Sequence, residues 1–166
     1  VGFSDALHEA ALKLNPIVWL GYDGGDVFDV TYAQATEEYG YVGAKEAYPE
    51  YRRFLQVLGT EVGRDMFGEN VWVDIMADKI EALHNEGKNV VVTGIRFPNE
   101  LGLIENLGGT SVWVSRPPQN ALDAVVPHAS ENSVTSTDFA VTLRNDKTLP
   151  DLYIAADGLI ANLNGD

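Results

Sequence analysis

The run Val90-Val91-Val92-Thr93-Gly94-Ile95-Arg96-Phe97-Pro98-Asn99-Glu100 sets the frame for this chain. Three consecutive valines ending in Thr-Gly, with no polar alternation, read as a strand buried on both faces. That is the pattern of a central strand in a parallel sheet. The proline and the Asn-Glu pair that follow start a helix. In open α/β sheets, ligands sit just beyond the carboxyl ends of strands, and Arg96 falls in such a loop. Its planar guanidinium donates hydrogen bonds in pairs, which suits a phosphate. Pairing with a nearby carboxylate is the plainer alternative.

On either side of this run the chain alternates helix and strand signals. Val1-Gly2-Phe3 reads as the end of a short strand, and Ser4 or Asp5 caps a helix running to about Leu14, stopped by Asn15-Pro16. Gly21-Tyr22-Asp23-Gly24-Gly25-Asp26, with Asp29 beyond, interleaves aspartate and glycine. It lacks the closing glutamate of an EF-hand and reads as a solvated loop. A short helix covers Tyr32 to Glu38 and ends near Gly40. Pro49 then opens a helix whose core face is Tyr51, Phe54, Leu55, Leu58 and Val62. Beside that face runs a second row, Arg52, Gln56, Thr60 and Arg64, advancing by four. It is either a solvated face or a ligand-binding one, with a phosphate at Arg52 or Arg53 and a base edge at Gln56.

A further helix from about Asn70 to Glu86 points Trp72, Ile75, Met76, Ile80 and Leu83 inward. After the valine strand come a helix from about Asn99 to Leu107, a strand from Thr110 to Ser115, and Arg116 off its end. The polar segment 117–138 lacks periodicity and fits a lid or binding loop. Its His128-Ala129-Ser130-Glu131 reads as a loop lock, since no nucleophile elbow accompanies it. A last strand covers Phe139 to Leu143, and a terminal helix Leu149 to Leu163. The expected fold is α/β, a three-layer sandwich with a mostly parallel sheet, as one domain across 1–166.

Composition narrows the function. A net charge of −14 argues against nucleic acid as a partner. It leaves room for an anionic small ligand where a few arginines gather in one cleft. With no cysteine, disulfides and thiolate metal sites are excluded. No apolar run is long enough to cross a bilayer, so no membrane partner is expected.

Several segments together resemble the deoxynucleoside-monophosphate kinases of tailed bacteriophages. They are Phe3-Ser4-Asp5-Ala6-Leu7, the stretch from Tyr48 to Glu61, Gly68-Glu69-Asn70-Val71-Trp72, Thr93 to Glu100, Val114-Ser115-Arg116-Pro117, His128 to Glu131 and Asn145-Asp146. Each is weak alone, but their order and spacing cover almost the whole chain. The resemblance implies a P-loop-kinase-like fold and transfer of the γ-phosphoryl group of ATP to a deoxynucleoside monophosphate with Mg2+. It implies that Arg52, Arg53, Gln56 and Asp5 bind the acceptor, that Arg96 and Arg116 neutralise the phosphoryl group in flight, and that the protein works in the cytoplasm, that of the host cell if phage-encoded.

Two features depart from the family pattern. The first strand and the Gly-x-x-x-x-Gly-Lys-Ser/Thr loop are absent from this sequence, and Gly94 stands where the family carries an aspartate. Three readings remain: a kinase whose N-terminal part lies outside this sequence, a kinase-derived nucleotide-binding protein without catalysis, and an assembly protein. A homo-oligomer or a partner chain covering the gap in the sheet belongs with the last. On any of them, the 166 residues alone are expected to turn over negligible ATP.

Overall fold

A computed structural model describes residues 1–23, 25–116 and 133–164. The chain divides into two compact units, Val1–Ile95 and Arg96–Asp166.

The first unit begins with residues 1–3 lying parallel to residues 91–93. The Val1 amine donates to the Val91 carbonyl at 3.0 Å. Thr93 N–H reaches the Val1 carbonyl at 2.9 Å, and Phe3 N–H the Thr93 carbonyl at 3.2 Å. This pairing corrects the expectation for the valine run. Val91 is 73% exposed, not buried on both faces. Burial of that kind needs strand neighbours on both sides, and within this unit residues 1–3 supply only one.

Helix α1 (Asp5–Leu14) follows, then an antiparallel hairpin of β1 (Ile17–Asp23) and β2 (Asp26–Thr31). The aspartate-rich segment read as a solvated loop is therefore largely strand. Its Asp23↔Asp26 pair closes the turn, where Gly25 takes a φ of 100°. Gly21 lies beneath the Trp19 and Phe28 rings, and a Cβ there would come within 2.3 Å of the indole. The absent side chain is what lets the two rings pack over the strand.

Helix α2 (Tyr32–Ala47) opens on a reciprocal cap. Gln34 N–H donates to Thr31 Oγ1 at 3.4 Å, and Thr31 N–H to Gln34 Oε1 at 2.8 Å. A φ of 67° at Gly40 kinks it where the sequence suggested an end. Helix α3 (Pro49–Val57) carries its proline in the first turn, as expected. The chain then widens into a π-helix, Leu58–Arg64, and the short α4 (Asp65–Phe67). Helix α5 (Val71–Asn85) buries Val73, Met76 and Ile80, whereas Ile75, expected inward, is exposed.

The core of this unit gathers Ala11, Val18, Tyr32, Ala35, Ala44, Tyr51 and Leu55. At its centre the Tyr32 and Tyr51 rings stack 4.1 Å apart at 8°. The alanines on α1 and α2 let these rings approach the helix backbones closely. Both phenols are satisfied. Thr36 Oγ1 donates its one proton to the Tyr32 carbonyl at 2.7 Å, so the Tyr51 hydroxyl is the donor in their 2.8 Å bond. The Tyr32 hydroxyl meets His8 Nδ1 at 2.7 Å, and burial pushes the Tyr32 phenol far above its ordinary range.

The second unit contains α6 (Pro98–Asn106), β3 (Val112–Ser115), β4 (Val141–Arg144) and α7 (Leu149–Asn164). Strands β3 and β4 pair in parallel, with Val112 opposite Val141 and Ser115 opposite Arg144. Asn145 N–H closes the ladder on the Ser115 carbonyl at 2.7 Å. The buried Ser111 hydroxyl accepts from Ala140 N–H at 3.0 Å, and Trp113 meets Phe139 edge-on. The mixed α/β class and the parallel pairing are as expected. Residues 117–132, with the His128 to Glu131 motif and most of the expected lid, lie outside the described residues.

His8 gives the first unit a pH-dependent stability. Burial, then the nearby Lys45 ammonium, holds its imidazole below the ordinary 6.5, against an upward pull from Asp5 and Glu9. The unfolded chain therefore takes up a proton at a higher pH than the folded one. The resulting stabilisation is complete above about pH 6.5 and is lost as pH falls below it. Urea titrations at about pH 8 and pH 5.5 should show a lower midpoint at the acidic value. In His8→Gln the part of that difference due to His8 should vanish.

Candidate functional site

Two groups of polar side chains in the first unit are candidates for a ligand site. One lies on α3. Tyr51 and Leu55 are buried, which turns the residues one position further on, Arg52 and Gln56, outward on a common face. Both are exposed. Arg53 is engaged differently: its Nη1 donates to Glu50 Oε2 at 3.0 Å across an exposed i,i+3 pair.

Beyond Val57 the chain winds more widely as a π-helix, with i→i+5 bonds, where Thr60 is exposed and Arg64 partly buried. Trp72 fixes this segment. Its indole N–H donates to the Gly59 carbonyl at 2.8 Å, and its ring lies over Gly63, where a Cβ would stand 2.6 Å from Nε1. Arg64 Nη1 donates to the Glu69 carbonyl at 3.0 Å. Arg64 thus braces the turn into α5.

The second group sits at the carboxyl ends of the paired segments 1–3 and 91–93. Asp5, in the first turn of α1, accepts from Gly2 N–H at 2.8 Å and from Lys79 of α5 at 3.4 Å, both on Oδ2. Burial alone would raise the Asp5 carboxyl, but the Gly2 and Lys79 hydrogen bonds and charge outweigh it and hold the group below its usual range. Asp5 is therefore ionised at neutral pH. The Thr93 hydroxyl makes only a long 3.5 Å bond to the Val1 carbonyl. Lys79 was not singled out by sequence reasoning, and Thr93 only as the end of the valine run, since nothing local marks either as a ligand group. Gly94 takes a φ of 78°, and a Cβ there would meet nothing. Backbone conformation, not space, favours glycine at that point.

In the second unit, Arg96 and Phe97 N–H both donate to Glu100 Oε2, at 2.7 and 3.2 Å. Glu100 is 4% exposed, and its carboxylate locks the turn that presents the exposed Arg96 side chain ahead of α6. A Glu at the third helical position after Pro98 is the sequence signal for such a lock. Arg116 is exposed directly after β3. A shallow recess between β2 and α2, lined by Asp29, Val30, Gln34, Glu37 and Glu38, has the wrong sign for a phosphate. Among the described residues, no group of three or more His, Asp or Glu is placed to hold a metal ion.

A family model described as deoxynucleotide monophosphate kinase matches residues 6–155. The deoxynucleotide monophosphate kinase of Enterobacteria phage T4 is 27% identical over 103 residues, 61% of this chain and 42% of that protein. The deoxynucleoside-5'-monophosphate kinase of Escherichia phage T5 is 39% identical over 49 residues, 30% of this chain and 19% of that one. An uncharacterized protein, ORF77, of Ictalurid herpesvirus 1 (strain Auburn) is 31% identical over 131 residues, covering 78% of this chain and 55% of that protein. The chain thus spans about half or less of the length of these relatives. No solved structure matches it.

The contact between Gly63 and Trp72 makes a direct test of the π-helix. Gly63→Ala should destabilise the protein by about 1–3 kcal/mol through overpacking. Trp72→Phe, which leaves the Gly59 carbonyl without its donor, should cost about 1 kcal/mol. Chemical denaturation of both variants measures each effect.

Proposed function

The chain belongs to the deoxynucleotide monophosphate kinase family, and from that membership we propose that its protein moves a phosphoryl group from ATP to a deoxynucleoside monophosphate, with these residues supplying the acceptor side. The observation that carries this is the exposed Arg52–Gln56 face of α3, in a chain of net charge −14. An exposed guanidinium with an amide one turn away suits a phosphate and a base edge at once. Arg53, already shared with Glu50, takes the lesser part. Asp5 completes the acceptor set.

Arg96 and Arg116 are proposed to stabilise charge on the phosphoryl group. In this chemistry positioning and electrostatics supply nearly all of the catalysis. The locked turn under Arg96 supports that role, because a pre-positioned guanidinium needs little reorganisation. The fold proposed for the whole protein is the three-layer, mostly parallel sandwich of P-loop kinases. Its support here is the parallel pairing found in each unit.

Family membership implies ATP and Mg2+, but the residues present do not form their site. These 166 residues contain no Gly-x-x-x-x-Gly-Lys-Ser/Thr loop, and the described residues gather no metal-binding cluster. The chain's own contribution is therefore acceptor binding and charge stabilisation. One observation favours a second reading, a nucleotide-binding protein without catalysis. At the φ of 78° taken by Gly94, an aspartate would be strained.

Calorimetry with the four deoxynucleoside monophosphates tests the proposal. At least one should bind, and Arg52→Ala should weaken it by about tenfold or more, the loss of one charge-assisted contact. Arg96→Ala should lower binding less than it lowers turnover in the full-length enzyme. A protein that binds none of the four, or an Arg52→Ala variant that binds unchanged, would overturn the acceptor assignment.

A further inference from the structure

The corner formed by Asp5, Gly2, Thr93 and Lys79 has a hydrogen-bonding character of its own. Asp5 Oδ2 is taken by the Gly2 amide and the Lys79 ammonium. Asp5 Oδ1 has no hydrogen-bond partner among the described residues. It flanks the space in front of Gly2 together with the Thr93 hydroxyl: a Cβ on Gly2 would stand 3.0 Å from Asp5 Oδ1 and 3.2 Å from Thr93 Oγ1. A side chain at position 2 would crowd both oxygens. One of them can only accept, and the other has a proton held by no more than a 3.5 Å bond.

An acceptor beside a donor matches a hydroxyl, which both gives and takes one hydrogen bond. An ionised carboxylate repels a phosphate, so this corner does not hold the charged end of a nucleotide. A base edge can also set a donor beside an acceptor, but the acceptor reading above gives the base to Gln56, which leaves the sugar hydroxyl for this corner. Resting on the acceptor reading above, we propose that Asp5 and Thr93 read the 3′-hydroxyl of the deoxyribose, with Lys79 as a positioning residue. Lys79 and the Gly2 amide both hold Oδ2, which leaves Oδ1 as the oxygen facing the space in front of Gly2.

The test compares a deoxynucleoside monophosphate with the 2′,3′-dideoxy monophosphate of the same base, by calorimetry on the full-length protein. A site built around a hydroxyl rejects the analogue lacking it. The unaltered protein should prefer the deoxy form by about tenfold or more. In Thr93→Val and Asp5→Asn that ratio should fall toward one. Lys79→Met should lower it as well, while Lys79→Arg should keep most of it. A merely structural role would change both affinities together and leave the ratio intact. Equal binding of the two nucleotides by the unaltered protein, or an undiminished ratio in folded Thr93→Val, would overturn the inference and leave the proposed function standing. Binding of neither nucleotide by the unaltered protein would overturn the acceptor reading itself.

Discussion

The stacking of Tyr32 on Tyr51 is the interaction on which the first unit depends. It joins α2 to α3 at the centre of the core, and the two hydroxyls tie that pair to Thr36 and, through His8, to α1. Aromatic stacking places a large apolar area in one contact, and each phenol oxygen demands a partner once buried. Both demands are met by side chains on neighbouring elements. The register of α3 is fixed as a result. With Tyr51 and Leu55 turned inward, Arg52 and Gln56 have to face outward, so the core decides which side of the helix can receive a ligand.

The end of α3 shows the same dependence of site on packing. Gly59 and Gly63 let the chain widen into a π-helix, and Trp72 fills the position that results, with its N–H on the Gly59 carbonyl. A side chain at Gly63 would collide with the indole, and without the indole the carbonyl would lose its donor. Arg64 is drawn into the turn to Glu69. Arg52 stays exposed, while Arg53 is shared with Glu50 and Arg64 with the Glu69 carbonyl.

Local signals carried much of the fold. Pro49 and the apolar spacing of α3 and α5 placed helices close to where they stand, whereas Gly40, read as a helix end, only kinks α2. The largely parallel sheet expected from the helix–strand alternation along the chain is matched by the parallel pair near Val112 and Val141. The β1–β2 hairpin escaped attention because its aspartates and glycines read as loop chemistry. Its Val, Trp, Tyr and Phe on either side of the Gly24-Gly25 pair in the sequence were the stronger sign. The valine run misled in the opposite direction. β-branched residues report a preference for extended backbone, while burial on two faces depends on neighbours that composition does not reveal.

By itself, the sequence determined the class of the fold, the family and the residue types suited to an anionic nucleotide. Periodicity, proline and glycine positions, and motif order are properties of the chain alone. Only the tertiary structure decided which of those residues lie together. It paired Arg53 with Glu50, withdrew Arg64 into a turn, and brought Asp5, Lys79 and Thr93 together from three distant stretches. Such convergence comes from packing contacts remote in sequence. No window along the chain contains them.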